Sequence, residues 1–291
     1  MAIAFDADCD KIIVEVINVI KFDRYPGGKN YAVTFSYDDG TNADRRLVEI
    51  FNKYGVKCTF NLYSSCIKGG NNVRAEEIPT LYAGHEVACH AYHHPHLERM
   101  TVKDQYDELI SDRETIEAAC GYIVRGMAFP FGTWNEDTLT AMRTAGLEYS
   151  RTVNSTNNFN IPENFMTWHP TCHHNDSERP IKQFIYNIEK APWRAGGLLY
   201  IWGHSYEFNQ ENAPVGWDEM ERRVKMLADH ADSIWFATNC EVMDYLKAVK
   251  QLRRSADGTI FYNPTDIDVW VTNGEEPMCI GAGRTVKAEL K

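Results

Sequence analysis

What this sequence lacks narrows it first. It has no apolar run of membrane-spanning length, so no transmembrane helix is expected. No Cys-x-x-Cys pair occurs. The eight cysteines (Cys9, Cys58, Cys66, Cys89, Cys120, Cys172, Cys240, Cys279) are scattered, which leaves a thiolate zinc site or a dithiol redox motif without support. No Gly-x-Gly-x-x-Gly follows any predicted strand, which removes a dinucleotide-binding reading. Positive charge is in short supply. Thirty Lys and Arg against 41 Asp and Glu give a net charge of −11, which argues against nucleic acid or anionic membrane as partner and leaves neutral or cationic substrates. The first ten residues carry no basic region followed by an apolar stretch. On that ground the cysteines are expected to be reduced and the chain cytoplasmic. Neither an internal repeat nor a low-complexity tract is present.

What the sequence does contain is an alternation. Apolar, β-prone runs at 31–40, 56–62, 85–89, 126–129, 147–151, 197–202 and 233–237 alternate with amphipathic helical stretches. That pattern implies parallel strands joined by helical crossovers, an α/β fold, with a barrel favoured over an open sheet. At 291 residues the chain suits one large barrel. Residues 1–30 read as a lead-in with an edge strand at 11–20, and residues 154–177 as a long irregular segment. From 251 onward short alternating runs replace the βα pattern, which predicts a small antiparallel appendage. The expected division is therefore 1–250 and 251–291.

The chain is organised around Tyr31-Ala-Val-Thr-Phe-Ser-Tyr-Asp-Asp-Gly40, an apolar run ending in two adjacent carboxylates and a glycine. As a buried strand it places Asp38 and Asp39 at a sheet rim, where ligands collect in α/β folds. Alone, the pair reads as a solvated turn, because neighbouring acids resist desolvation unless something positive stands beside them. Residues 84–97, Gly-His-Glu-Val-Ala-Cys-His-Ala-Tyr-His-His-Pro-His-Leu, change that reading, since they hold five of the ten histidines. A His-Glu-x-x-His zinc helix fails here: Cys89 occupies its last position, and the segment reads as a strand. His90 and His94 are the better pair. On a helical turn their i, i+4 spacing points both imidazoles at one ion. With Asp39 as third ligand, one coordination position stays open for water, the pattern of a catalytic metal site.

Together these segments resemble the polysaccharide deacetylases, carbohydrate esterase family four, which share a distorted (β/α) barrel. The family's first motif, Thr-Phe-Asp-Asp-Gly, is matched by Phe35-Ser-Tyr-Asp38-Asp39-Gly40. Its second, His-Ser/Thr-x-x-His, is matched by His90-Ala-Tyr-His-His94, and its third, ending Pro-Tyr-Gly, by Pro130-Phe131-Gly132. A histidine ending a late apolar strand is matched by His204 in Leu198-Leu-Tyr-Ile-Trp-Gly-His204. The resemblance implies a seven-stranded barrel in which Asp39, His90 and His94 hold one divalent metal ion, zinc first, cobalt or nickel next. It implies Asp38 as the general base on metal-bound water, the Phe131 N–H as an oxyanion donor, and His204 as the acid.

Departures from the pattern are specific. The family's arginine two residues before the third-motif proline is replaced by Ala128. Arg151, ending a later strand, is the expected substitute partner of Asp38, with Arg125 as the other arginine in view. The fourth motif, an acid that tunes the catalytic histidine plus a tryptophan, has no clean counterpart. Asp176 or Glu207 could tune His204, and Trp168 could wall the pocket. Trp202 stands where a leucine usually faces the acetyl methyl, which puts a long polymer in doubt more than the chemistry. His93 and His96 read as supporting or surface residues. One of His169, His173 and His174 could reach the site from the polar 154–177 segment, and Trp134, Trp193 and Trp217 could stack on sugar rings. The expected function is metal-dependent removal of acetyl from an N-acetylated sugar, with an acetylated carbohydrate as partner. The alternatives are an O-acetyl esterase on a glycan such as xylan, an allantoinase-like amide hydrolase, and a silent carbohydrate-binding protein.

Overall fold

A computed structural model of the chain describes residues 20–288. It also describes two short antiparallel strands, β1 (Ile3–Ala4) and β2 (Ile13–Val14). Most of the edge strand expected at 11–20 lies outside the described residues. Contacts divide the chain into two compact units, one spanning Tyr31–Asp244 and the other joining the chain up to Asn30 with Tyr245 onward.

Tyr31–Asp244 is the βα unit. In order it contains β3 (Tyr31–Asp38), α1 (Asp44–Lys53), β4 (Thr59–Leu62), α2 (Ile78–Leu81), β5 (Glu86–Cys89), α3 (Val102–Cys120), β6 (Gly126–Ala128) and α4 (Glu136–Thr144). There follow β7 (Tyr149–Arg151), β8 (Cys172–His173), α5 (Glu178–Lys190), β9 (Leu198–His204), α6 (Trp217–Ala228), β10 (Ile234–Phe236) and the start of α7 (Asn239–Gln251). All the strands of this sheet run parallel in the order β7-β6-β5-β4-β3-β9-β8.

β10 is the eighth strand of this sheet, and two features fold the eight strands into a distorted barrel with seven strand positions. First, β10 pairs with Tyr31–Val33 and β4 with Ser36–Asp38, so the two strands share one side of β3 in succession. Second, the segment leading into β8 closes the ring. The Trp168 N–H donates to the Ser150 carbonyl at 2.8 Å and its own carbonyl accepts from the Thr152 N–H at 3.0 Å, beside β7. Four residues on, Cys172 and His173 pair with β9. The stretch expected to be irregular throughout therefore carries the closing strand.

Alternation along β3 sorts its side chains. Tyr31, Val33, Phe35 and Tyr37 join the apolar core with Leu47 and Phe51 of α1, the Phe35 and Phe51 rings lying 4.9 Å apart. On the other face, Thr34 donates to Asn239 Oδ1 at 2.8 Å, and Asn61 donates to Ser36 and Asp38, each at 2.8 Å. Asp38 thus belongs to a hydrogen-bonded interior face that opens at the strand's C-terminal end.

The other unit holds two small antiparallel sheets. One is built from β11 (Arg253–Arg254), β12 (Ile260–Tyr262) and β15 (Thr285–Lys287), the other from β13 (Val269–Asn273) and β14 (Glu276–Ile280). Ile20 shares a core with Phe261, Val271, Ile280 and Ala288. The expected division at 250/251, with the lead-in on the barrel side, is corrected here. Lys21 and Thr272 exchange both backbone hydrogen bonds, at 3.0 and 2.8 Å, and Arg24 Nε donates to Thr272 Oγ1 at 2.8 Å.

Candidate active site

The C-terminal ends of β3, β5, β7 and β9 meet at one rim. Asp38 is the last residue of β3, and the turn beyond it is unusual: Asp39 has φ 79° and Gly40 φ 60°. A Cβ on Gly40 would come within 2.6 Å of the Leu62 side chain, so glycine is required there. The strained Asp39 is fixed from both sides. Its N–H donates to the Asn61 carbonyl at 3.0 Å and its carbonyl accepts from Asn72 Nδ2 at 2.9 Å. The turn leaves Asp38 buried and Asp39 only half-buried.

His90 follows β5 directly. Its Nδ1 lies 2.8 Å from the Ala128 carbonyl oxygen. A carbonyl only accepts, so Nδ1 carries the proton and the Nε2 lone pair is free. That Nε2 is 3.8 Å from Asp39 Oδ1, and His94 Nε2 is 3.9 Å from the same oxygen. The two imidazoles converge by a route other than the expected helical turn. Ala91 (φ 59°) and His94 (φ 57°) are left-handed, and the chain doubles back until the rings stand 4.6 Å apart, edge to face. Burial, then the neighbouring His90, push His94 down to about 4, so it is neutral at pH 7 and has a lone pair to offer. Ligand atoms of Asp39, His90 and His94 all fall within 4.8 Å of one another. Two imidazoles and one carboxylate sharing a centre fit a divalent ion of the zinc class.

Asp38 is treated differently. Its carboxylate pairs with the Arg151 guanidinium, and Asn61 Nδ2 donates to its Oδ1 at 2.8 Å. Burial alone would raise its pKa, but Arg151, His90, His204 and the Asn61 bond together hold it below the usual carboxylate range. Arg151 ends β7, is fully buried, and lies over the Trp202 ring at 4.2 Å. Arg125 does not reach Asp38; its Nη1 donates to Asp244 at 3.0 Å.

His204 ends β9. Its Nε2 stands 3.9 Å from Asp38 Oδ2 and 4.0 Å from Asp39 Oδ2, and its Nδ1 is 2.9 Å from Glu207 Oε1. The other Glu207 oxygen lies 3.0 Å from His174 Nε2 and 3.3 Å from His173 Nε2. Burial works against a proton on His204, yet the Glu207 bond, Asp38 and Asp39 raise its pKa overall. Burial would raise Glu207, but its bonds to His174 and His204 hold it low. Gly203 makes this approach possible, since a Cβ there would collide with the His174 ring.

Asp38, Asp39, His90, His94 and His204 line a cleft of about 570 Å³ together with Phe131, Trp202 and Tyr206. Phe131 has φ 57° in the Pro130–Gly132 turn; its ring is half exposed and stacks on His96 at 3.9 Å. Several expected residues stay away from the cleft. Trp168 is buried in the closing strand against Tyr200 and Phe165, so it walls the barrel rather than the pocket. Asp176 lines a separate groove with Ser155 and Arg179. His93 is held by Glu108, and His169 by Thr152. Trp134 packs on Phe129, Trp217 donates to Asn209, and Trp193 is exposed elsewhere. Tyr206 was not singled out in the sequence, and its only signal there is its place two residues after His204.

Comparison with known proteins follows the same outline. The family model described as Polysaccharide deacetylase matches residues 25–150. The chain is 30% identical over 120 residues to the chitooligosaccharide deacetylase of Bradyrhizobium sp. (strain ANU 289), which covers 40% of this chain and 53% of that protein. The chain thus spans about half the length of that relative. Among solved structures, the Xyl-CE4 domain of a multidomain xylanase from the hindgut metagenome of Trinervitermes trinervoides aligns with TM-score 0.51 at 18% identity, over 75% of this chain and 91% of that one. A CE4 family pseudoenzyme from Bacillus anthracis aligns with TM-score 0.50 at 20% identity, over 76% and 67%. Both structural likenesses bear on fold alone. An enzyme's domain and a pseudoenzyme sharing it mean that activity has to be argued from side chains. Arg151, Trp202 and His204 all lie beyond the matched residues.

Proposed function

We propose, from the match of residues 25–150 to the polysaccharide deacetylase family, that the chain removes acetyl groups from N-acetylated sugars or oligosaccharides. The divalent cation this requires would be held by Asp39, His90 and His94. One observation supports the reading above others: two adjacent carboxylates have different partners. Asp39 Oδ1 faces both imidazole Nε2 atoms at 3.8 and 3.9 Å, while Asp38, whose Oδ2 lies 3.9 Å from only one of the two, that of His90, is paired with Arg151 and Asn61. Paired acids with divergent surroundings mark a division of labour between ligand and base.

A bound divalent cation supplies Lewis acidity, polarising the acetyl carbonyl and making water more acidic. Asp38, kept ionised by Arg151, takes the proton of the attacking water. Phe131 lines the cleft, and its N–H would serve the negative charge that develops on the carbonyl oxygen. As the carbon–nitrogen bond breaks, His204 gives its Nε2 proton to the leaving nitrogen, and Glu207 holds the opposite side of the ring. Acetate and a free amine are the products. The substrate class also draws on the Bradyrhizobium relative, whose name describes a chitooligosaccharide deacetylase.

The test is acetate release by metal-loaded protein from N-acetylglucosamine oligomers and from acetyl-xylan, with and without chelator, and with allantoin hydrolysis followed alongside. Chelator-sensitive release from the oligomers supports the reading. Release from acetyl-xylan alone, hydrolysis of allantoin alone, or binding without turnover would replace it with the esterase, the amide hydrolase or the binding protein.

A further inference from the structure

The amide-rich stretch Asn154-Ser-Thr-Asn-Asn-Phe-Asn160 takes no part in the cleft, yet two hollows lie beside it. One, of about 300 Å³, lies over Trp168, Leu198 and Tyr200. The other, of about 580 Å³, lies between the stretch and Gln183 and Asn187 of α5. Asn158, Asn160 and Ile161 border both, so the two hollows adjoin. Leu198 begins β9 and His204 ends it, which puts this groove at the far end of the strand, about 20 Å from His204. It shares no lining residue with the cleft.

The lining determines what fits. Six of its side chains are amides: Asn157, Asn158, Asn160, Asn164, Gln183 and Asn187. Glu163 and Arg194 are the only fully charged side chains there, and their signs oppose, so neither an anion nor a cation meets a net countercharge. An apolar ligand would strand the amides. Hydrogen-bonding atoms of both kinds remain available among the described residues. Asn164 Oδ1 accepts from the Met166 N–H at 2.9 Å, which leaves Nδ2 to donate. Gln183 Nε2 donates to Asn187 Oδ1 at 3.1 Å, which leaves Gln183 Oε1 to accept and Asn187 Nδ2 to donate. Hydroxyl groups, each both donor and acceptor, match such a mixture.

An apolar surface stands beside these amides. Trp193, 77% exposed, comes one residue before Arg194 of the groove wall, and Ile161, 39% exposed, lies on the wall that the hollows share. An indole open to solvent beside a polar groove suits a sugar ring, which has an apolar face and a hydroxylated edge. The groove is also held in shape before any ligand arrives. The Thr156 N–H donates to the Pro170 carbonyl and the Asn157 N–H to the Thr171 carbonyl, both at 3.0 Å, and the Leu198 N–H donates to the Phe159 carbonyl at 2.9 Å. Backbone fixed in this way lowers the ordering cost of binding.

We propose that this groove is a non-catalytic binding site for an uncharged oligosaccharide, with Trp193 as the stacking face and Gln183 and Asn187 as hydroxyl partners. The inference goes beyond the deacetylase reading and does not rest on it, because the ligand class follows from the lining and no bond is broken there. A glycan held in the groove would raise the local concentration of its other units around the same barrel.

Binding is followed in metal-free protein, so that hydrolysis does not consume the probe. The indole N–H resonance of Trp193, identified by its absence in Trp193→Ala, is recorded during titration with N,N′,N″-triacetylchitotriose, xylotriose, trigalacturonate and a capped tri-alanine peptide. At least one of the two neutral trisaccharides should shift it saturably, while trigalacturonate and the peptide should not. By isothermal titration calorimetry, Trp193→Ala should weaken that binding about tenfold. Gln183→Ala, also at an exposed position, should weaken it about fivefold. Tyr206→Ala, in the distant cleft, should leave it within about twofold. No saturable shift with either neutral trisaccharide, equal shifts with trigalacturonate or the peptide, or unchanged affinity in Gln183→Ala overturns the inference. A Trp193 shift in a protein that releases no acetate once metal is restored overturns the deacetylase reading alone.

Discussion

Two clusters in the barrel unit have the same composition, two imidazoles and one carboxylate, and the same close spacing: Asp39 with His90 and His94, and Glu207 with His173 and His174. They differ at one ring in each, by what its far nitrogen touches. His90 Nδ1 faces a carbonyl, which can only accept, so the lone pair is on Nε2 and points at the centre. His173 Nδ1 instead accepts from the Asn175 N–H at 3.3 Å, which leaves the proton on Nε2, facing Glu207. His90 thus offers a lone pair to its centre, which suits a cation, whereas His173 offers a proton to its carboxylate. Residue inventory alone does not separate them, and the tautomers do.

The sharpest way to break that contrast is to count metal while removing chemistry. On the proposed division, with Asp38 as base and Asp39 as ligand, Asp38→Asn should lower turnover by roughly 10³-fold or more and leave one divalent ion per chain. His90→Ala should lose both ion and turnover. His174→Asn should keep the ion. Mass-spectrometric metal analysis of the four proteins beside acetate release decides it. Two ions per wild-type chain, or an ion retained by His90→Ala, would show that the two clusters do not differ as described.

Much of the first cluster was legible in the sequence, and little of the second. Asp38-Asp39-Gly40 at the end of an apolar run carries its own position, and His90 and His94 stood out by density. The reason given for their convergence was wrong, however, because a helical turn and a reversal through left-handed Ala91 and His94 share the same four-residue spacing. Arg151 could be read as a strand-terminal arginine replacing the one absent at Ala128. Glu207 could not be told from Asp176, since the choice depends on the 3-10 turn after β9 and not on sequence distance. The closing strand was invisible for a related reason. Only Cys172 and His173 pair with β9, and the polar stretch before them has no β pattern of its own. The lead-in was misassigned because its partner, Thr272, lies 248 positions beyond Arg24.

The next effect in size concerns Arg151, which separates the base from the ligand. Arg151→Met keeps bulk over Trp202 but leaves Asp38 buried without its cation. Breaking one side of a buried pair costs about 3 kcal/mol or more, so the melting temperature should fall by several degrees in the metal-free protein. The metal-loaded protein should fall less, because a cation near Asp38 offsets part of the lost charge. Equal falls with and without metal would mean that Asp38 does not sense the ligand centre.

The smallest effect tests the floor beneath the second cluster. Asp44, at the start of α1, accepts from Ser205 and, at 2.7 Å, from Tyr82, and burial pushes its carboxyl up to about 7 from 3.8. The folded state thus binds this proton more tightly than the unfolded state does. The resulting stability is fully present below about pH 4 and is lost as pH rises towards 7. Asp44→Asn has no proton to lose and removes that slope. Its melting temperature relative to wild type should therefore be more favourable at pH 8 than at pH 5, whatever the average change. If the Asp44→Asn difference is the same at both pH values, Asp44 is not held protonated, and the Ser205 anchor is a bond to an ionised carboxylate instead.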